Sequence, residues 1–152
     1  MNIVLVEPEI PANTGNIART CAVTGTVLHL VRPLGFSTED RYLKRAGLDY
    51  WHLVEIHYYD NYGELAECYP NCIFYYISTK GEKNYHQVSF GPRDFLVFGK
   101  ETRGLPGELL KSNAEYCLRI PMMGGARSLN LANSVALVLY EALRQQNFPG
   151  FR

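Results

Sequence analysis

The most constraining stretch of the sequence lies near its end, where residues 119–144 read RIPMMGGARSLNLANSVALVLYEALR. It predicts a strand end, a glycine-rich turn and a helix from Ser128 to about Gln145, with Ser128 as N-cap. The middle of this helix, residues 135–140, is apolar on every face, so every face has to be covered. One face can pack on the chain's own sheet. The other meets either a second subunit or more of the same chain.

The composition sets wide limits on fold and partners. A length of 152 residues predicts one domain whose core needs neither disulfides nor a metal. Fifteen Lys and Arg balance fifteen Asp and Glu, so contact with nucleic acid has to come from local basic clusters. Four scattered cysteines and no signal-like start indicate a reduced, cytoplasmic chain. No apolar run approaches the roughly eighteen residues of a membrane span.

Short apolar runs alternate with helical patterns along the chain. The first run, residues 2–6, is continuously apolar, as in strands buried on both faces. The alternation predicts an α/β domain with about six mostly parallel strands flanked by helices. The predicted strands are residues 2–6, 27–31, 53–58, 72–78, 95–98 and 115–119, and the earlier predicted helices are residues 16–24, 38–46, 62–68 and 105–111.

The loop after the first strand carries amides and an arginine where ligands bind in open parallel sheets, beyond the carboxyl ends of strands. Asn13 is a candidate helix cap, and Asn16 and Arg19 share a face because they are three residues apart. An arginine near the positive end of a helix is unfavourable unless an anion is held there. The alternative is an ordinary capped helix with one solvated arginine.

Two further loops have the composition of a binding site. In residues 98–106, Gly99 and Gly104 permit a tight turn or close approach to a ligand, and Glu101 adds a carboxylate. A P-loop is excluded, because Glu101 stands where Ser or Thr must bind magnesium. In residues 122–130, two glycines precede the helix, and capping alone does not explain Arg127 and Asn130.

Other polar clusters favour plainer interpretations. A helix at residues 38–46, with Thr38 as N-cap, would place the densest basic patch, Arg41, Lys44 and Arg45, on one side. Cys68 and Cys72 have zinc-range spacing but no second ligand pair, which favours two buried thiols and no metal site. His29 is predicted to be a core histidine. A receiver-like domain is disfavoured, because no strand ends in an acceptor aspartate.

Three motifs in order resemble those of the SPOUT methyltransferases, and the likeness covers nearly the whole chain. It is strongest to the minimal TrmL or YibK type, which is similar in length, in the opening NIVLVEPEIPANTGNIAR and in RAGLDYW at residues 45–51. The motifs are Asn13-x-x-Asn-x-x-Arg19, Phe98-Gly-x-Glu-x-x-Gly-Leu-Pro106 and Ile120-Pro-Met followed by Ser128-Leu-Asn-Leu-Ala-Asn133.

The resemblance implies a fold and an activity. It implies one SPOUT domain over residues 1–152, with a trefoil knot within about residues 73–145, and a homodimer. It implies methylation of the ribose 2'-hydroxyl of the wobble nucleotide, a cytidine or uridine, in certain leucine tRNAs, with S-adenosylmethionine as methyl donor. The tRNA would be bound through its anticodon stem-loop. A knotted protein that binds RNA and S-adenosylmethionine without turnover is the alternative.

The resemblance also assigns roles to individual positions. The sequence departs from the family pattern at Lys100 and at residues 124–126, which puts the stiffness of the cofactor loop in question. RNA contacts are expected from Asn16, Arg41, Lys44 and Arg45. The positions matching cofactor contacts are Ile77, Thr79, Gly99, Glu101, Gly104, Ile120, Ser128 and Leu129, and those matching catalytic and substrate residues are Asn13, Arg19, Glu101, Arg127, Ser128, Asn130 and Tyr140.

The family's role for Arg19 meets a physical objection. The family treats this arginine as the base that takes the proton of the 2'-hydroxyl. A guanidinium stays protonated at neutral pH and accepts protons poorly. The alternative is that Arg19 clamps a neighbouring phosphate and stabilises the developing alkoxide, while the proton leaves through water or phosphate.

Overall fold

A computed structural model describes residues 1–37, 39 and 41–152, except for the side chains of residues 46–49. In this part of the chain, seven strands form a single sheet. Every strand pair in the described sheet is parallel, and the strand order is β3-β2-β1-β6-β4-β7-β5. The strands are β1 Asn2–Val6, β2 Val27–Val31, β3 Ile56–Tyr59, β4 Phe74–Ile77, β5 Lys83–Asn84, β6 Phe95–Phe98 and β7 Cys117–Arg119; the helices are α1 Pro11–Thr24, α2 Arg41–Trp51, α3 Tyr62–Cys68, α4 Gly107–Ser112 and α5 Leu131–Gln145.

Helices cover both faces of the sheet, which explains why its central strands are apolar throughout. On one face, Ile17 of α1 and Val135 of α5 pack against alternate residues of β1, β2 and β6. On the other face, Leu65 of α3 and Leu110 of α4 pack against the remaining residues of these strands. Helix α2 lies outside this sandwich, against α1. The predicted α/β class and parallel sheet are confirmed.

The first helix is longer than predicted. It begins at Pro11 instead of Asn16, because proline suits the first helical position, where no N–H is needed. Its N-cap is Ile10, which makes no side-chain cap bond, so the prediction that Asn13 caps the helix was wrong. Arg19 consequently lies in the third turn, and the argument from the positive helix end does not apply to it.

The last helix begins later than predicted. Its N-cap is Asn130, whose Oδ1 accepts bonds from the N–H groups of Ala132 (2.9 Å) and Asn133 (3.3 Å). Ser128 is therefore not the N-cap, which corrects the sequence prediction. Strand β5 was missed, because its two residues are polar and carry no apolar signal. The sheet thus has seven strands instead of about six.

Three smaller predictions have mixed outcomes. The helix expected at residues 38–46 is observed as Arg41–Trp51, and its proposed cap, Thr38, lies outside the described residues. His29 is confirmed as a core histidine, bonded to the hydroxyl of Tyr59 and the amide oxygen of Asn2, both at 3.1 Å. The prediction that Cys68 and Cys72 are buried thiols is wrong, because Cys68 is exposed and Cys72 is only partly buried.

Within the described chain, no helix is long and apolar enough to cross a membrane.

Candidate active site

Three loops enclose a pocket of about 560 Å³ at the carboxyl edge of the sheet. They follow β6, β4 and β7, which are neighbours in the sheet, so parallel pairing brings the loops together. The loops contribute residues 78–80, 99–104 and parts of 120–130, and the start of α1 closes one side with Ile10 and Asn13. A ligand here would touch all three motifs at once.

The pocket gathers most of the residues singled out from the sequence. Asn13, Arg127 and Asn130 line it, whereas Arg19 and Tyr140 do not. The roles of all these residues stay predictions. All eight positions expected to contact the cofactor line the pocket: Ile77, Thr79, Gly99, Glu101, Gly104, Ile120, Ser128 and Leu129.

The loop after β6 is a tight turn that only glycine can form at two positions. A Cβ on Gly99 would lie 2.1 Å from the carbonyl carbon of Gly104, far closer than real contacts allow. Gly104 has φ +68°, in the left-handed region, and its N–H donates to the carbonyl of Lys100 at 2.8 Å. At these two positions the turn therefore has no side chain between its backbone and the pocket.

The carboxylate of Glu101 holds the start of α1. Its two oxygens accept bonds from the N–H groups of Glu9 (2.8 Å) and Ile10 (3.0 Å) and from the amide of Asn13 (3.1 Å). Negative charge is favourable at a helix N-terminus, where backbone N–H groups lack partners. Glu101 thus places a negative charge at the start of α1 and fixes the two residues that precede the helix, Glu9 and Ile10.

Asn13 extends this contact to the third loop. Its side chain is 7% exposed, and its Oδ1 accepts a bond of 3.0 Å from the amide of Asn130. Asn130 also caps α5 with its own Oδ1. A continuous chain of hydrogen bonds, Glu101 to Asn13 to Asn130, consequently ties the loops after β6 and β7 to the start of α1.

Two carboxylates missed as site residues fasten the turn after β6 from the other side. Glu7 forms an ion pair with Lys100. Glu9 accepts bonds from the N–H (3.0 Å) and the hydroxyl of Thr102, and these bonds lower the pKa of Glu9 below its usual value. The sequence contained a signal for these contacts. Glu7 and Glu9 follow β1, Lys100 follows β6, and β1 and β6 are neighbours in the sheet.

The loop after β7 forms the exposed rim of the pocket. A turn at residues 123–126 contains Gly125, with φ +92°. Arg127, Ser128 and Leu129 follow it and are exposed, although all three line the pocket. Their polar groups are accessible to both a bound ligand and a substrate from solvent.

Arg19 on α1 and Tyr140 on α5 are both exposed, and their two helices contact each other. The guanidinium of Arg19 lies over the ring of Tyr50, with 4.6 Å to the centroid, and is exposed, as is Asn16 on the same face. On α5, Leu137 and Tyr140 are 44% and 43% exposed. We call the exposed side chains of these two helices the α1/α5 face; they include Leu137, Tyr140 and the predicted catalytic Arg19.

The basic patch on α2 is exposed. Arg41 stacks on Tyr42 at 4.9 Å, Lys44 pairs with Glu39 at 2.9 Å, and Arg45 is also exposed. These three cations can reach a polyanion from solvent. Among the described residues, no group of three or more His, Cys, Asp or Glu side chains is placed to hold a metal.

The sequence profile of the SpoU rRNA methylase family matches residues 1–140. The chain belongs to this family. This SpoU methylase is 51% identical to a tRNA (cytidine(34)-2'-O)-methyltransferase from Saccharophagus degradans, over 98% of its own length and 97% of the relative's.

Solved structures have the same fold as this SpoU methylase. One, described as giving structural insights into the 2'-OH methylation of C/U34 on tRNA, has a TM-score of 0.91 and 46% identity, covering 96% of this chain and 95% of its own. Another, an AdoMet-bound rRNA methyltransferase from Sinorhizobium meliloti, has a TM-score of 0.84 and 26% identity, covering 94% of this chain and 55% of its own. The seven-stranded parallel sheet is thus the fold of known RNA methyltransferases.

Proposed function

We propose that this SpoU methylase transfers a methyl group from S-adenosylmethionine to the 2'-hydroxyl of nucleotide 34, a cytidine or uridine, in leucine tRNAs. The observation that carries the proposal is the pocket itself, which gathers all eight expected cofactor positions at the carboxyl edge of the sheet. The relative from Saccharophagus degradans and the solved structure concerned with C/U34 support nucleotide 34 as the target.

The pocket suits S-adenosylmethionine in size and chemistry. Its volume of about 560 Å³ lies within the range of small-molecule sites. Ile77, Ile120 and Leu129 offer apolar contacts for an adenine ring, and the glycine turn at 99–104 presents backbone groups to its edge. Thr79 and Ser128 add hydroxyls for the polar parts of the molecule.

Catalysis by this chain consists mainly of positioning. When bound, S-adenosylmethionine supplies a methyl carbon that its sulfonium has made electrophilic. Arg127, Ser128 and Asn130 lie at the pocket rim, where they can orient the ribose for in-line attack. Arg19 contributes a fixed positive charge, which suits a clamp on the neighbouring phosphate and stabilisation of the developing alkoxide better than proton removal.

A homodimer would complete this site. Arg19 does not line the pocket of its own chain, and it shares the α1/α5 face with the exposed side chains of Leu137 and Tyr140. A second copy packed on this face covers those apolar groups. We assign two residues of the partner, Arg19 and Tyr140, to the pocket of the first copy.

The same assembly accounts for tRNA binding by a chain of zero net charge. Two copies of Arg41, Lys44 and Arg45 would border the two pockets, and cations in such clusters bind phosphates without sequence preference. The anticodon stem-loop would lie across this surface with nucleotide 34 in the pocket. A cytoplasmic location follows from this substrate.

The chain would form one domain with a trefoil knot within about residues 73–145. Close passage of its segments supports this arrangement. A Cβ on Gly81 would lie 2.6 Å from the carbonyl carbon of Leu118, so the chain after β4 runs directly against β7. The loops after β4, β6 and β7 also pack around the one pocket.

A methyl-transfer assay separates the enzyme from its alternative, a protein that binds RNA and S-adenosylmethionine without turnover. The purified protein is incubated with methyl-labelled S-adenosylmethionine and bulk tRNA from cells that lack this modification. We expect label in tRNA. Binding of both ligands without label in RNA would contradict the proposal and leave the binding protein.

A further inference from the structure

The sequence RAGLDYW at residues 45–51 supports the family resemblance, but its chemistry is not explained by the pocket. It forms the second half of α2, which packs on α1. Trp51 packs against the main apolar core, and Leu43, about two helical turns earlier, is 2% exposed. The helix that carries Tyr50 is therefore anchored at both ends.

Tyr50 makes two contacts with Arg19, 31 residues away in sequence. The guanidinium carbon lies 4.6 Å from the ring centroid, and Nη2 donates to the Tyr50 hydroxyl at 3.4 Å. No carboxylate in the described part of the chain lies within ion-pair distance of Arg19. The aromatic ring thus takes the place of a salt-bridge partner.

A ring and a carboxylate hold an arginine in different ways. A carboxylate binds the edge of the guanidinium and occupies the N–H fork that would bind phosphate. A ring binds the flat face and leaves most of the edge donors available. Arg32 illustrates the contrast: it stacks on Tyr58 at 5.3 Å but also pairs with Asp60 at 3.0 Å.

We propose that Tyr50 is a positioning residue for Arg19: it fixes the guanidinium by its face so that the edge is free for the RNA phosphate and the reacting oxygen. The proposal rests on the proposed function. A long, exposed arginine otherwise samples many rotamers. If it is ordered before the substrate binds, the loss of its side-chain entropy no longer adds to the barrier of the catalytic step.

The test compares Tyr50→Leu, which removes the ring, with Tyr50→Phe, which keeps it. Tyr50→Leu should lower kcat for tRNA methylation about tenfold, as expected when a charged group loses its orientation. It should leave the KM for S-adenosylmethionine unchanged, since Tyr50 does not line the pocket. Tyr50→Phe should restore most of the rate. A kcat for Tyr50→Leu equal to the wild-type value would overturn the proposal.

Two controls identify the cause of a loss. Tyr58→Leu removes the ring of the comparable Arg32–Tyr58 pair and should leave kcat unchanged. The affinity for tRNA can be measured without turnover, and in the Arg19→Ala background Tyr50→Leu should cause no further loss of that affinity, because the two residues act as a unit. Fully additive losses would mean that Tyr50 acts without Arg19, and the proposal would be wrong.

The outcomes also separate this proposal from the proposed function. A wild-type protein that methylates no tRNA overturns both. An active wild type with an inactive Arg19→Ala and a fully active Tyr50→Leu overturns the role of Tyr50 alone. If Tyr50→Leu does not fold, nuclear Overhauser contacts between the Tyr50 ring and the Arg19 side chain in the wild-type protein decide; their absence overturns the proposal.

Discussion

The side chain of Asn13 makes two hydrogen bonds at the pocket that together require an amide. Asn13 donates to Glu101 and accepts from Asn130. A carboxylate could accept but not donate, and a hydroxyl is too short for both partners, so an amide is the side chain that fits. Sequence reasoning singled out Asn13 but assigned it a cap, because a cap is the common local use of asparagine.

His29 makes the stability of the fold depend on pH. It is 1% exposed, and burial, with His57 nearby, lowers the pKa of His29 to about 4 from a usual 6.5. Between these pH values the unfolded chain binds a proton that the folded chain does not, so stability falls as the pH is lowered. The loss should approach about 3 kcal/mol near pH 4.

Urea unfolding at pH 7.5 and pH 4.5 measures this effect. His29→Gln retains a polar side chain without titration, so its stability should decrease less than that of the wild type. His52→Gln is the matched control, because His52 is exposed, and it should retain the wild-type pH dependence. Equal pH dependence in His29→Gln and wild type would show that His29 is not the source.

At the scale of elements, the start of α5 links helix stability to the pocket. Asn130→Ala removes the cap, which should cost about 1 kcal/mol of unfolding free energy. It also removes the bond to Asn13 that ties the third loop to α1. We therefore expect weaker binding of S-adenosylmethionine, measured by calorimetry, in addition to the loss of stability.

Asn61 provides the matched control. It caps α3 by accepting a 3.0 Å bond from the N–H of Glu64, and it does not line the pocket. Asn61→Ala should lose a similar amount of stability and keep full cofactor affinity. Cofactor affinity that is equal in the two variants would show that the Asn130 network does not support the pocket.

The exposed face of α2 should determine tRNA affinity. Arg41→Glu combined with Lys44→Glu should weaken binding and reduce the slope of log affinity against log salt by about 1.5 to 2, the value for two lost phosphate contacts. The double change Arg93→Glu and Lys111→Glu alters the charge equally on other exposed positions. An effect of equal size in both variants would argue against a local contact surface.

Elements with a complete local signal could be predicted from the sequence. β1, β2, β6 and α3 have the predicted bounds, because continuous apolar runs or a good cap mark their ends. The start of α1 was placed too late although Pro11 is a local start signal, because Ile10 is a poor cap and the carboxylate that holds this end, Glu101, is 91 residues from Ile10. Such long-range partners leave no pattern in a local window.

At the scale of the molecule, the pocket could be predicted but the complete site could not. Two of its loops, residues 98–106 and 122–130, were identified because parallel strands bring their carboxyl ends to one edge, and the loop after β4 was indicated only by the family resemblance. The sequence gives no distance between Arg19 and that edge, and the structure places Arg19 outside the pocket. That separation is the reason to assign Arg19 to the pocket of a second copy.

Mixed dimers test whether sites are shared between subunits. Arg19→Ala removes the guanidinium, and Ser128→Trp blocks the pocket from an exposed position. Each variant alone should be inactive. A purified dimer with one copy of each retains one complete site if Arg19 acts across the interface, so it should regain about half of the wild-type rate.

An inactive mixed dimer would show that Arg19 serves its own chain. A mixed dimer of Ser128→Trp with wild type gives the reference rate for one open pocket. Two different affinity tags, one on each variant and used in succession, separate the mixed dimer from unmixed dimers.

The most direct test of the central claim is a map of 2'-O-methyl groups on tRNA treated with the purified protein. Leucine tRNAs from cells lacking this modification are incubated with protein and S-adenosylmethionine, digested, and analysed by mass spectrometry. We predict one new methyl group, on the ribose of nucleotide 34, and none with the Ser128→Trp variant. A methyl group on a base or at another nucleotide, or no methyl group at all, would contradict the account.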